Sequence, residues 1–301
     1  YMKKICFLGI SGSGKSCYLY AASHLLQGGI RTSLGSVSIV CSNTARSSDL
    51  SEGFKEMDGK YPVWPKGTDK SHTKCFPYEL YVKGNRKLEF EIYDYRGGVF
   101  YETSDDAHDE RQTLYGESNC IVVFIDAYTL LQAFRLKNED GISKAFTRGD
   151  LPKRTYSDAI SELNHLKVIV NEARKNISQD TPILLVITKK DILLDNELED
   201  AIDKLKIHMD MFFSEGTSNP VGITAISLGS NLGAGEVTQD GQKKMLGQMH
   251  LSVSNNIHIP MLFPLFIDLD LSENEKELAN KIFNRNSIQL YVKGKPALIS
   301  F

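Results

Sequence analysis

Eight consecutive residues near the N-terminus carry the densest chemical signal in the chain. Gly9-Ile10-Ser11-Gly12-Ser13-Gly14-Lys15-Ser16 fits the pattern GxxxxGK[ST]. An apolar run, Ile5-Cys6-Phe7-Leu8, precedes it, and Tyr18, Leu19, Ala22, Leu25 and Leu26 follow at helical spacing. Strand, glycine-rich turn and helix are the context that phosphate binding needs. Glycines let successive N–H groups converge on phosphate oxygens, and the start of the helix adds its positive end. In such a cradle Ser11, Gly12, Ser13, Gly14 and Cys17 line the phosphates, Lys15 reaches the β- and γ-phosphates, and the Ser16 hydroxyl ligates magnesium. Cys17 can also be read as a redox-sensitive neighbour of the nucleotide, although a small buried residue is the better expectation.

Two further segments stand at the ends of expected strands. Asp94 closes the alternating run 87–93 and opens Asp94-Tyr95-Arg96-Gly97. An acid there can hold a magnesium-bound water, while the Gly97 N–H senses a γ-phosphate. Thr188-Lys189-Lys190-Asp191 follows the apolar run 183–187. A carboxylate at Asp191 can accept both N1–H and N2–H of guanine, a pair adenine does not offer, with the Lys189 stem lying along the base.

In that order the motifs resemble those of a Ras-like P-loop GTPase of the translation-factor-related class, over roughly residues 2–230. The resemblance implies GTP and GDP as ligands, Mg2+ as cofactor and GTP hydrolysis as activity. It places Ser16 and Asp94 in the magnesium shell, and Thr188, Lys189 and Asp191 at the guanine. Thr224-Ala225-Ile226 stands where the family has a loop whose backbone contacts the guanine oxygen. The family's first switch needs a magnesium-binding threonine; Thr68, on a glycine-supported loop tip, is the first choice, and Thr73 its rival. The position after DxxG, often a water-orienting glutamine, is Gly98 here. Hydrolysis is therefore expected to be slow, to borrow another residue, or to depend on a partner. Arg96 can stabilise transition-state charge or simply pair with Glu102 or Asp105, and Glu102 is a weaker candidate for orienting water. The WPKGT and DYRGG segments also resemble the bacterial double-GTPase group, which implies a link to paired signalling or defence proteins. It implies a protein partner (a second GTPase, an activating protein or an effector) met through the switch regions. A P-loop ATPase or kinase, or a non-hydrolysing nucleotide-binding scaffold, is the alternative.

The elements needed to position these residues follow from apolar spacing. Runs at 121–125, 183–187 and 221–226 read as buried strands, and 161–177 and 198–212 as amphipathic helices. Segments 76–82 and 87–93 form a hairpin about Lys83-Gly84-Asn85, placed at a sheet edge because Leu88, Phe90 and Ile92 alternate with Glu89 and Glu91. Residues 37–41 suggest a strand, and 48–57 a helix opened by Ser48 or Asp49. The run 257–267 suggests a buried strand with bends. Ser272 and Glu275 suggest a capping box, and 288–301 a terminal strand pair. The expected fold is α/β: a doubly wound, mostly parallel sheet with an antiparallel edge hairpin. Residues 2–230 form the GTPase domain with inserts at about 30–75 and 135–157, and 231–301 an extension packed on it.

Composition removes other classes. Thirty-five Lys and Arg against 38 Asp and Glu give a net charge of -3, which argues against bulk electrostatic binding of nucleic acid. Five scattered cysteines without a CxxC pair argue against a disulfide framework or zinc site and for a reducing compartment. His24, His108 and His165 are isolated and read as packing or surface residues. The N-terminus lacks a signal-peptide pattern, and the 257–267 run is too short to span a bilayer, so a cytoplasmic protein is expected.

Overall fold

Strands apolar at every position leave no face for water, so both sides must be covered. The computed structural model describes residues 2–65, 73–95, 105–136, 155–230, 232, 234–237, 241, 243–245, 247–267, 269–283, 286–299 and 301. In chain order these form β1 (Lys3–Leu8), α1 (Lys15–Gly28), β2 (Ile30–Thr32), β3 (Gly35–Cys41), α2 (Thr44–Asp58), β4 (Lys74–Val82), β5 (Asn85–Asp94), α3 (Asp105–Gly116) and β6 (Cys120–Asp126). There follow α4 (Ala127–Ala133), α5 (Tyr156–Asn176), β7 (Ile183–Thr188), α6 (Asp195–His208), α7 (Asp210–Phe213) and β8 (Val221–Ala225). The rest holds β9 (Ala234–Val237), β10 (Lys243–Met245), α8 (Ile259–Phe266), α9 (Glu273–Ile282), β11 (Gln289–Val292) and β12 (Lys295–Ala297).

The molecule is α/β, with a ten-stranded sheet in the order β12-β11-β8-β7-β6-β1-β5-β4-β3-β2. The central five, β5-β1-β6-β7-β8, are parallel. Antiparallel strands flank them on both sides. Alternate residues of each central strand enter opposite cores: Phe7, Val122, Phe124, Leu184 and Val186 on one face, Leu8, Val123, Ile125, Leu185 and Ile187 on the other. The first face is covered by α1, α8 and α9, the second by α4, α5 and α6. Among the described residues no helix is long and apolar enough to cross a membrane.

Three expectations are corrected. The hairpin β4–β5 turns through Lys83 and Gly84, both at positive φ, but it is not at the edge. Strand β5 pairs with β1, and β3 and β2 extend the sheet beyond β4. Exposed Glu89 reports a wet face of the strand, which is a separate matter from what lies beside it. Helix α2 starts at Thr44, where Asn43 accepts a hydrogen bond from Arg46 N at 3.0 Å, rather than at Ser48 or Asp49. The run 257–267 forms helix α8, not a strand. Pro260 lies in its first turn, where no N–H donor is needed, and every residue from Ile259 to Phe266 is buried. A helix enclosed on all sides has no polar stripe, so periodicity cannot mark it.

The terminal pair is observed as β11–β12, with β11 joined to β8. The capping box of Ser272 and Glu275 opens α9, and Glu275 also meets Lys87 of β5 at 2.5 Å. Phe266 packs against the rings of Phe283 and Phe301, with centroids 5.4 and 6.2 Å away. Phe266→Ala should therefore cost about 3–5 kcal/mol in urea unfolding.

His258, at the start of α8, donates from Nε2 to the Ile282 carbonyl at 3.0 Å, and its Nδ1 is buried without a partner. Burial pushes its pKa down from 6.5 to about 4, against the opposing pull of that carbonyl. The unfolded chain thus takes up a proton near pH 6.5 that the folded chain refuses until about pH 4. The stabilisation is complete above 6.5, is lost progressively as pH falls to about 4, and levels off below. Its full size is about 3 kcal/mol. His258→Gln keeps an N–H donor and should remove this component, flattening the pH dependence of unfolding between 6.5 and 4 relative to the wild type.

Candidate functional site

Strand β1 ends at Leu8, and after the six residues 9–14 α1 begins at Lys15. Gly9 has φ 150, and a Cβ there would lie 2.7 Å from the Phe124 carbonyl oxygen and 2.8 Å from Ser13 Oγ. Gly14 caps α1 in the left-handed region (φ 87, ψ 9) that favours glycine. The loop closes through Ser13 N on the Ile10 carbonyl at 3.2 Å, and Lys15 Nζ donates back to the Gly9 carbonyl at 2.7 Å. The first turn of α1 holds no acidic residue and no side-chain cap, so its positive end is available to an anion.

Parallel pairing of β1 and β5 sets Phe7 opposite Asp94, which brings that carboxylate beside the loop. Ser16 Oγ donates to Asp94 Oδ2 at 3.1 Å. Both Lys15 and Asp94 are buried, at 7% and 3% exposure. Burial lowers the Lys15 pKa and Asp94 pulls it back up. Burial raises the Asp94 pKa, opposed by Lys15, by the Ser16 hydrogen bond and by Lys74. A buried cation, a buried anion and a hydroxyl thus meet at the mouth of a glycine turn, a donor set suited to phosphate and a hard divalent cation.

Strand β7 supplies the adjoining wall. Thr188 Oγ1 donates to the Ser13 carbonyl at 2.8 Å. Lys189 has left-handed backbone (φ 57), and its Nζ reaches Asp126 Oδ2 at 2.7 Å and the Gly12 carbonyl at 3.4 Å. Asp191 sits half-buried in the single turn Lys190–Ile192. That turn is fixed to the end of β8, because Lys190 N donates to the Ile226 carbonyl at 3.0 Å and Ile226 N to the Ile187 carbonyl at 2.8 Å. The structure therefore gathers Ser11–Ser16, Asp94 and Thr188–Asp191, with Ile226 behind them.

Other expected residues fall differently. The Thr224 hydroxyl turns away to the Ser287 carbonyl at 2.7 Å, and the Ala225 carbonyl accepts from Asn256 Nδ2 at 3.0 Å. Cys17 packs with Ala21, Phe54 and Met57, and burial pushes its thiol pKa up to about 11, which disfavours redox reactivity near neutral pH. Thr68, Arg96, Gly97, Gly98 and Glu102 lie outside the described residues. Thr73 is one residue ahead of Lys74, whose ladder partner is Asp94, and its Oγ1 is buried without a hydrogen-bond partner. His24 stacks on Phe54, with ring centroids 3.7 Å apart.

Two charged residues at the site belong to none of the sequence motifs. Asp126 ends β6 in register with Thr188 and pairs with Lys189; its position at the end of an apolar strand was the available signal. Lys74 was hidden in a segment without periodicity.

Gly9→Ala should cost at least about 2 kcal/mol in urea unfolding, from strained φ and overpacking. Gly28→Ala, where nothing lies within 4 Å of the added methyl, should be neutral or stabilising. Equal stabilities for the two variants would contradict the loop geometry.

Neither protein-family models nor curated proteins give a match to this chain.

Proposed function

We propose that the chain binds GTP and GDP with magnesium, hydrolyses GTP slowly or with a partner's help, and acts as a guanine-nucleotide switch. One observation carries this reading. Thr188 and Lys189, which open the base-reading turn, are hydrogen-bonded to the carbonyls of Ser13 and Gly12 in the glycine loop. A base at Asp191 and phosphates over Lys15 are then parts of one ligand. The sheet supports the same reading: the loop follows β1, from which the chain passes to the β2–β5 side before α3 leads back across to β6, and ligands of α/β sheets bind at that point of reversal.

Lys15 exchanges the Gly9 carbonyl for phosphate oxygens, and the first N–H groups of α1 take further oxygens. Ser16 holds the metal directly, Asp94 through a water, and a threonine from the first switch completes the set. Between the two candidates, Thr73 has an unpartnered buried hydroxyl beside the Lys74–Asp94 rung. Magnesium, when bound, offsets charge on the phosphate oxygens during attack by water. Asp191 accepts the two guanine N–H groups. Gly98 cannot orient water through a side chain, so turnover rests on Arg96 or on a cation and water-positioning group from a partner. Segments 61–74 and 95–106 are the proposed partner surface, ordered by GTP and loosened by GDP. The partner classes are a second GTPase, an activating protein or an effector.

Asp191→Asn should lower GDP affinity about 100-fold and shift preference toward XDP, measured by calorimetry on nucleotide-stripped protein. Unchanged GDP affinity, or adenine binding equal to guanine binding in the wild type, would favour a P-loop ATPase or kinase instead.

A further inference from the structure

Lys189 is held more firmly than a residue at the end of a strand requires. Its ammonium meets a carboxylate at 2.7 Å, and Asp126, the owner of that carboxylate, has a side chain only 2% exposed. The carboxylate is itself fixed, because Asp126 Oδ1 accepts from Tyr128 N at 2.9 Å as the cap of α4, leaving Oδ2 for Lys189. Register sets Asp126 opposite Thr188, one residue from the lysine. The backbone at Lys189 stays in the left-handed region (φ 57), an unfavourable conformation for a side-chain-bearing residue that only surrounding contacts maintain. The stem thus runs from the end of β7, past the Gly12 carbonyl, to the end of β6.

We propose that Asp126 is a positioning residue: it holds the Lys189 stem in place for the purine before the nucleotide arrives, and this sets guanine-nucleotide affinity. The inference rests on the guanine reading of Thr188–Asp191. A lysine with four rotatable bonds loses much freedom when a base settles along its stem, and a partner that has already ordered it removes that loss from the binding step. Asp126 touches no nucleotide atom in this scheme and acts through Lys189 alone.

That dependence is what a double-mutant cycle reads. Asp126→Asn keeps an oxygen to cap α4 but turns an amide N–H toward the ammonium, and Lys189→Met removes the charge while keeping an apolar stem. Binding of Mg-GDP is measured by calorimetry on full-length, nucleotide-stripped protein for the wild type, both single variants and the double variant. Melting without nucleotide checks that each is folded. Asp126→Asn should weaken Mg-GDP about tenfold in the wild type and cause no further loss in the Lys189→Met background. An equal loss in both backgrounds would make Asp126 a purely structural cap and overturn the proposal, as would unchanged affinity in Asp126→Asn. Failure of the wild type to bind Mg-GDP would overturn the guanine reading and this proposal together, whereas the other adverse results leave that reading standing. If Asp126→Asn does not fold, Asp126→Ser, which also caps a helix, replaces it in the cycle.

Discussion

A loop that turns its N–H groups toward one point must turn its carbonyl oxygens back into the protein, and buried carbonyls need donors. Much of the site can be understood from that constraint. The Gly9 carbonyl is met by Lys15, the Ile10 carbonyl by Ser13 N and the Ser13 carbonyl by Thr188, while the exposed Gly12 carbonyl accepts from Lys189. Two of these donors belong to the loop and its helix, and two come from the end of β7. Satisfying the backbone therefore also draws the Thr188–Asp191 turn against the loop. The charged groups are paired as well: Lys15 and Asp94 each offset the other's burial, and the partly exposed Lys189 meets the buried carboxylate of Asp126.

The segment after β8 is tied to this arrangement rather than trailing from it. Asn256 Nδ2 holds the Ala225 carbonyl, the Ser287 carbonyl takes the Thr224 hydroxyl, and Tyr18 of α1 donates to the Ile257 carbonyl at 3.0 Å. Helices α8 and α9 cover the sheet face that α1 leaves open, with Phe263, Phe266 and Leu278 in the same core as Phe7 and Phe124. A change in this segment can thus reach the end of β8, which in turn anchors Lys190.

Much of the site could be read from sequence because its parts are local. The glycine loop needs a strand before it and a helix after it, and both neighbours carry their own periodicity. Asp126 and Thr188 each end an apolar strand, and Asp94 ends an alternating one. What could not be read depends on partners distant in sequence. The Asp126–Lys189 pair exists through the register of β6 and β7, and the outward turn of the Thr224 hydroxyl through Ser287 in the later segment. Helix α8 carries no helical signal in sequence because uniform burial erases the stripe that marks a helix. Glu89 and Glu91 report a half-wet face, which in sequence points to an edge, while β3 and β2 carry too short a pattern to reveal that they extend the sheet.

The central claim is that one ligand spans Lys15 and Asp191. Competition by GDP, GTP, ADP and ATP for a fluorescent guanine nucleotide, with magnesium and on stripped protein, tests it most directly. The account predicts that guanine nucleotides compete at least about 100-fold better than adenine nucleotides, and that Lys15→Ala abolishes competition by all four. Adenine nucleotides competing as well as guanine nucleotides, or no nucleotide binding by the wild type, would contradict it.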